Sequence, residues 1–315
     1  MRPKDLFNKS RLTNMKPLFW LAVVAAGLSV VLVPLVLLDD RVLLGAPIWL
    51  KPLKFSLSIA IFAVTFSWLS SFIARGKRWV RLTGIVIVIS LSIELLLITA
   101  AAAVGQTSHF NVSSPIHIVV WSAMATFISI VLIATLILSV LIIIDKAQPP
   151  LVRLGLGLGS VNTAIGMALA FLMTSGPTPQ QLADYQGIVG AHTVGIPDGG
   201  PGLPFFGWST VAGDLRVGHF FGLHSIQVAI VLLAIALALP IALRVPLLIV
   251  GNATYLGVIA ILTWQGLRGE PISAPGQLTL LSFGILLSLA IASFVILSLA
   301  SIRGRGRRGE NWRNK

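Results

Sequence analysis

The feature that most constrains this chain is a succession of apolar runs between residues 17 and 302, several longer than the ~20 residues needed to cross a bilayer. In hydrocarbon every backbone N–H and C=O must find its partner inside the segment, and an uninterrupted apolar run does so as an α-helix. Only 10% of the 315 residues are charged and 56% are hydrophobic. A soluble domain of this size could not cover its core with so little polar surface. The expected fold is an all-α integral membrane protein.

Eight segments qualify as spans, at about 17–38, 52–73, 82–105, 116–144, 154–175, 214–240, 245–266 and 277–302. The fourth is long enough to tilt or to project from the bilayer. Pro34 should kink the first, whereas Pro52 and Pro246 fit first-turn positions, where a missing N–H costs nothing. The first stretch is too long for a signal-peptide core and has no small-x-small exit, so it reads as a span that stays in place. The chain thus divides into a basic N-terminus (1–16), one eight-span domain (17–302) and a basic tail (303–315).

The +13 charge is distributed along the ends of the spans. Lys and Arg at 2–16, 75–81, 146–153, 244 and 303–315 make eighteen on one side, against five (Arg41, Lys51, Lys54, Arg216, Arg268) on the other. Positively charged loops stay in the cytoplasm. Both termini are therefore expected to be cytoplasmic, in a bacterial inner membrane, with the basic residues meeting lipid headgroups and not nucleic acid. Cysteine is absent, which excludes iron–sulfur ligation, thiol redox chemistry, covalent c-type haem and Cys-ligated zinc.

This topology puts all five histidines (His109, His117, His192, His219, His224) on the exoplasmic half. It also creates one long exoplasmic connection, about 176–213, rich in Gly and Pro and ending in "GIPDGGPGLPFFGWS". Loops of that length are usually functional or disordered. "TPQQLADYQ" (178–186) reads as a short helix capped by Thr178 with Pro179 first, and Phe205, Phe206 and Trp208 suit the headgroup zone. The segment is expected to be a lid between the fifth and sixth spans.

Glu94 sits in the apolar run "IVISLSIELLLITAAAAVG", where a carboxylate costs roughly 2.5–3.5 kcal/mol. It needs a partner, a water pocket or a proton. At helical rise Glu94 lies about 16 Å below the outer end of its span, and His224 lies about 15 Å below Asp214. Arg216, His219, His224 and Gln227 fall within an arc of about 140° on one helix face. His109 shares a face with Glu94, and Asp214 is a plausible N-cap beside Arg216, favouring an anion there. The expected site is a funnel with Lys54, His109, His117, His219 and Arg216 at the rim and His224, Gln227 and Glu94 below. Each has a plainer reading, since Arg216, Lys51 and Lys54 can snorkel to headgroups and a buried Glu can be a neutral hydrogen bonder.

Three function classes follow. In the first, the chain is a membrane-embedded metal-, haem- or quinone-dependent enzyme. Glu94, His224 and Arg216 are then catalytic, and His109, His219 and Gln227 bind the cofactor. A metal version uses His109, His219 and His224 as ligands, and a quinone or a small anion could be gripped by Arg216 or a histidine. The second class is a proton-coupled transporter of small solutes, and the third a lipid-binding, sensory or assembly protein. Eight spans with outer-half histidines resemble the architecture of the haem A synthase family. That family spreads its ligand histidines over two related halves, whereas the seventh and eighth spans here hold none, so the chain is not assigned to it. No HExxH, Walker or nucleophile-elbow motif occurs, and the small residues of "GLGLGS" (155–160) suit close helix packing.

Overall fold

The computed structural model describes residues 3–176 and 178–313. In chain order these form α1 (Pro3–Leu6), α2 (Lys9–Leu12), α3 (Lys16–Leu38), a ribbon of β1 (Val42–Leu43) and β2 (Ala46–Pro47), α4 (Leu50–Ser70), α5 (Lys77–Ala103), α6 (Pro115–Ile144) and α7 (Pro150–Ala168). A 3₁₀ extension (Leu169–Thr174) is followed by α8 (Pro179–Ala183), a second antiparallel ribbon of β3 (Thr193–Val194) and β4 (Gly213–Asp214), α9 (Leu215–Leu223), α10 (Ser225–Ala238), α11 (Ile241–Leu267) and α12 (Gln277–Arg313). Among the described residues seven helices are long and apolar enough to cross a membrane, and α9 with α10 forms a further pair bent by 43°. The chain is a mostly helical, multi-pass membrane protein. The basic tail expected over 303–315 falls almost wholly on side chains outside the described residues, although the α12 backbone continues to Arg313.

Helix α4 packs on α3 and α5, α6 joins α5 to α7, and α7 is enclosed by α9, α10 and α11. The shared core includes Phe66, Ile87, Leu156, Leu233 and Leu248. Because lipid tails are as apolar as leucine, close backbone approach and hydrogen bonds must supply the association. The glycines of α7 meet this need. A Cβ on Gly159 would strike Ala229, and a Cβ on Gly166 or Gly222 would run into the other's backbone.

Pro34 lies inside α3, which continues through it as one 23-residue element, and one proline expectation changes. Helix α11 starts at Ile241, after Pro240 at its N-cap, so Pro246 lies inside the helix rather than in its first turn. The sixth segment is also not one straight helix, because it breaks at His224. Side chains take over the carbonyls freed there: Tyr255 Oη donates to Phe221 O (2.9 Å) and Ser225 Oγ to Gly222 O (2.7 Å). Such insertion into the helix ladder is an established cause of kinks.

The two ends of the bundle differ. One end is rich in connections (39–49, 104–114, 175–214, 268–276). At the other, the N-terminal segment docks under α4. There Leu6 is fully buried, Trp68 Nε1 donates to Leu6 O (2.7 Å), Asn14 Nδ2 donates to Ser70 Oγ (2.8 Å), and Arg11 lies over the Phe72 ring.

Candidate functional site

The long connection is an ordered structure within its described residues. Thr178 and Gln181 form a reciprocal capping box on α8. Isolated bridges tie Asn111 to Ile188 and Gly202 to Ser209, and β3 pairs with β4 at the entrance to α9. Asp214 caps α9 as expected, accepting from Arg216 N (3.0 Å).

Arg216 is not an open rim cation. Its Nε and Nη2 hold the two oxygens of fully buried Asp214 (2.9 and 2.6 Å), and Nη2 also donates to Gly207 O (2.6 Å). This fork geometry gives strong, oriented pairing. Lys54 Nζ donates to the neighbouring Phe206 O (2.9 Å). A Cβ at Gly207, whose φ is +66°, would stand 3.7 Å from Lys54 Nζ and 3.9 Å from Arg216 Nη1, so both cations converge on this glycine.

Lys51, one turn before Lys54, is the electrostatic hub of the region. Lys54, Arg216, Asp198 and Glu94 all act on it, and it bears in turn on His109 and His192. Its ammonium makes no hydrogen bond or ion pair among the described residues. Glu94 is 5% exposed, and its Oε1 is shut from solvent without a partner. Lys51 is the charged group acting on it. An electrostatic interaction links Lys51 and Glu94, with no hydrogen bond or ion pair between them among the described residues.

Three imidazoles are each held through Nδ1, His109 and His192 within electrostatic reach of Lys51 and His219 within reach of His192. His192 Nδ1 meets Asp198 Oδ2 (2.6 Å), His219 Nδ1 meets Gly166 O (2.7 Å), and His109 Nδ1 meets Ser108 Oγ (3.0 Å). A carbonyl or carboxylate can only accept, so His192 and His219 carry their proton on Nδ1 and leave Nε2 as a free acceptor. His192 lies within electrostatic reach of both His109 and His219. Desolvation lowers the pKa of His109, with Lys51 and His192 adding to the effect, and it lowers that of His192 against the opposing pull of Asp198. Burial would raise the Asp198 carboxyl, but the bonds from His192 and Thr193 override it and leave it far below the usual range. Phe55, Phe110 and Trp121 surround the His109 ring at centroid distances of 5.7, 6.1 and 5.5 Å. Phe110 holds a left-handed φ of +61°, rare for a bulky residue and characteristic of functional sites.

His224 belongs to a second constellation. Its ring packs on Phe220 (4.5 Å), and Phe220 contacts the Phe206–Trp208 stack. Below it, Gln227 Nε2 donates to Thr65 Oγ1 (3.1 Å) while its Oε1 has no partner. Glu94's helix packs mainly on α3, α4 and α6, whereas α9 and α10 pack mainly on α7 and α11. Glu94's charged neighbour is therefore Lys51 and not His224. The expected ligand set His109, His219 and His224 is corrected as well. Among the described residues no three His, Asp or Glu side chains are grouped as a metal site, because each of the three histidines is anchored in a different wall. His117 only closes the first turn of α6, against Ser113 and Ser114.

Lys51, His192 and Asp198 were absent from the expected constellation. A signal for Lys51 existed, since α4 is the least hydropathic and among the most enclosed of the candidate spans, and a lysine on such a helix faces protein rather than lipid. No family model, curated protein or solved structure matches the chain.

Proposed function

We propose that the chain crosses a bacterial inner membrane eight times, with α9 and α10 together as one span, both termini cytoplasmic and the 178–213 connection acting as an exoplasmic lid. On this reading it is a membrane-embedded enzyme of the quinone-dependent kind, with its ligand chamber under the lid. The observation that carries the proposal is the unpartnered pair of Lys51 and Glu94. A polar group shut inside the bundle without a partner, as Glu94 Oε1 is, is costly, and a ligand or a proton would complete it. A quinone headgroup supplies a carbonyl oxygen to accept from Lys51, and its quinol form supplies a hydroxyl for Glu94. The Phe55, Phe110 and Trp121 rings beside His109 suit a flat aromatic ligand. Arg216 acts here by positioning the lid tip. The separated histidines favour this class over the metal version, and membrane lipid is the medium from which the ligand enters.

The test is saturable binding of a short-chain quinone, decylubiquinone, to the full-length protein in nanodiscs, read by tryptophan quenching. Lys51→Met and Glu94→Gln should each weaken binding at least about tenfold, as expected for loss of a buried polar contact. Quenching that never saturates, or that is identical in both variants, contradicts the proposal.

A specific observation also supports the proton-coupled transporter. Gln227 Nε2 donates to Thr65 Oγ1 just below the helix break at His224, and its unpartnered Oε1 is open to a further polar contact. That reading is checked by dye-reported proton flux in liposomes, which should fall in Gln227→Leu.

A further inference from the structure

We infer that His192, oriented by Asp198, is the proton acceptor of the chamber, taking the hydroxyl proton of a bound phenolic (quinol-type) headgroup and leaving its phenolate oxygen against Lys51. The inference rests on the ligand chamber proposed above, but on a different set of contacts. Four donors hold Asp198: His192 N (3.0 Å), His192 Nδ1 (2.6 Å), Thr193 N (2.9 Å) and Thr193 Oγ1 (2.7 Å). A carboxylate so saturated is a fixed anion that orients the ring and stabilises the imidazolium formed when Nε2 takes a proton.

The dyad is also tied to the site. Leu215 N donates to His192 O (2.9 Å), and the β3–β4 pairing fastens residues 193–194 to the start of α9, which carries Arg216 and His219. The His192 side chain is 18% exposed, and its ring packs on Phe110 (5.1 Å), the residue that also flanks His109. The charged and titratable groups facing it are Asp198 from its own loop, Lys51 from α4, Arg216 and His219 from α9, and His109 from the loop after α5. The step is a proton transfer alone. One O–H bond breaks, one Nε2–H bond forms, the new cation faces Asp198 and the new anion faces Lys51.

A coloured phenol tests this directly. In nanodiscs, 4-nitrophenol is titrated against the full-length protein and its yellow phenolate is read across pH, with decylubiquinone as competitor. The wild type should lower the bound phenol's apparent pKa by about one unit or more. His192→Gln and Asp198→Asn should each abolish most of that shift by weakening phenolate binding about tenfold relative to the neutral phenol, and Asp198→Glu should restore it. A full shift persisting in both His192→Gln and Asp198→Asn overturns the dyad and leaves the chamber standing. Failure of the wild type to bind either 4-nitrophenol or decylubiquinone overturns the chamber, and this inference with it.

Discussion

The two ends of the bundle carry comparable polar equipment and use it in opposite ways. At the basic end it serves structure. Asp145 receives the backbone N–H groups of Ala74, Arg75 and Ala147, pinning one connection to the next, and Ser67, Ser70 and Ser71 hold the N-terminal segment. At the loop-rich end Asp214 and Asp198 are as fully engaged as Asp145, yet among the described residues Lys51 makes no hydrogen bond, Glu94 Oε1 has no partner and two imidazoles keep a free Nε2. Polar groups that satisfy one another build a fold. An orphan atom is not by itself a binding site, since Arg153 Nε near the basic end is also shut in without a partner; what sets the loop-rich end apart is that Glu94 Oε1 lies within electrostatic reach of Lys51.

The largest effect should come from the contact that supports both ends. Gly166→Leu drives a side chain into the Gly222 backbone and should cost more than about 3 kcal/mol, read as loss of the monodisperse folded protein in detergent. Asp214→Ala should follow, at about 3–5 kcal/mol, because it strands the Arg216 guanidinium; Arg216→Met in the same chain should recover part of the loss. Asp145→Ala should cost about 1–3 kcal/mol in thermal unfolding and leave quinone binding unchanged, which would separate the structural end from the functional one.

The smallest expected effect is one of pH. His192 and Asp198 both have folded pKa values below their usual 6.5 and 3.8. For both groups the unfolded state binds more protons in acid, so their contribution is complete above about pH 7 and drains away as pH falls, first through His192 and then through Asp198. Hydrogen-exchange protection factors of residues 190–200, corrected for the intrinsic pH dependence of exchange, should fall below about pH 6, with those of the 140–150 connection unchanged over the same range.

The membrane class and most helix boundaries could be read from the sequence, because an apolar run has one stable conformation in hydrocarbon. So could local caps: Thr178 and Asp214 act through neighbours two or three residues away. The site was only half legible. Glu94, Arg216, His109 and His219 were marked by their cost in an apolar setting, but their partners are set by rotation and by long-range packing. Depth along the helix placed Glu94 level with His224, and only tertiary structure gives it Lys51 as its charged neighbour. The Asp198–His192 dyad joins residues six apart in a glycine-rich loop, where no periodicity applies. The break at His224 has no proline to announce it and depends on Tyr255 from another helix.

The central claim, that Lys51 and Glu94 complete one ligand site from opposite walls, is tested most directly by a double-mutant cycle on decylubiquinone affinity. The dissociation constant is measured in nanodiscs for the wild type, Lys51→Met, Glu94→Gln and the double variant. Shared contact with one ligand predicts non-additivity of at least about 1 kcal/mol, and additivity within about 0.5 kcal/mol would show that the two residues act at separate places.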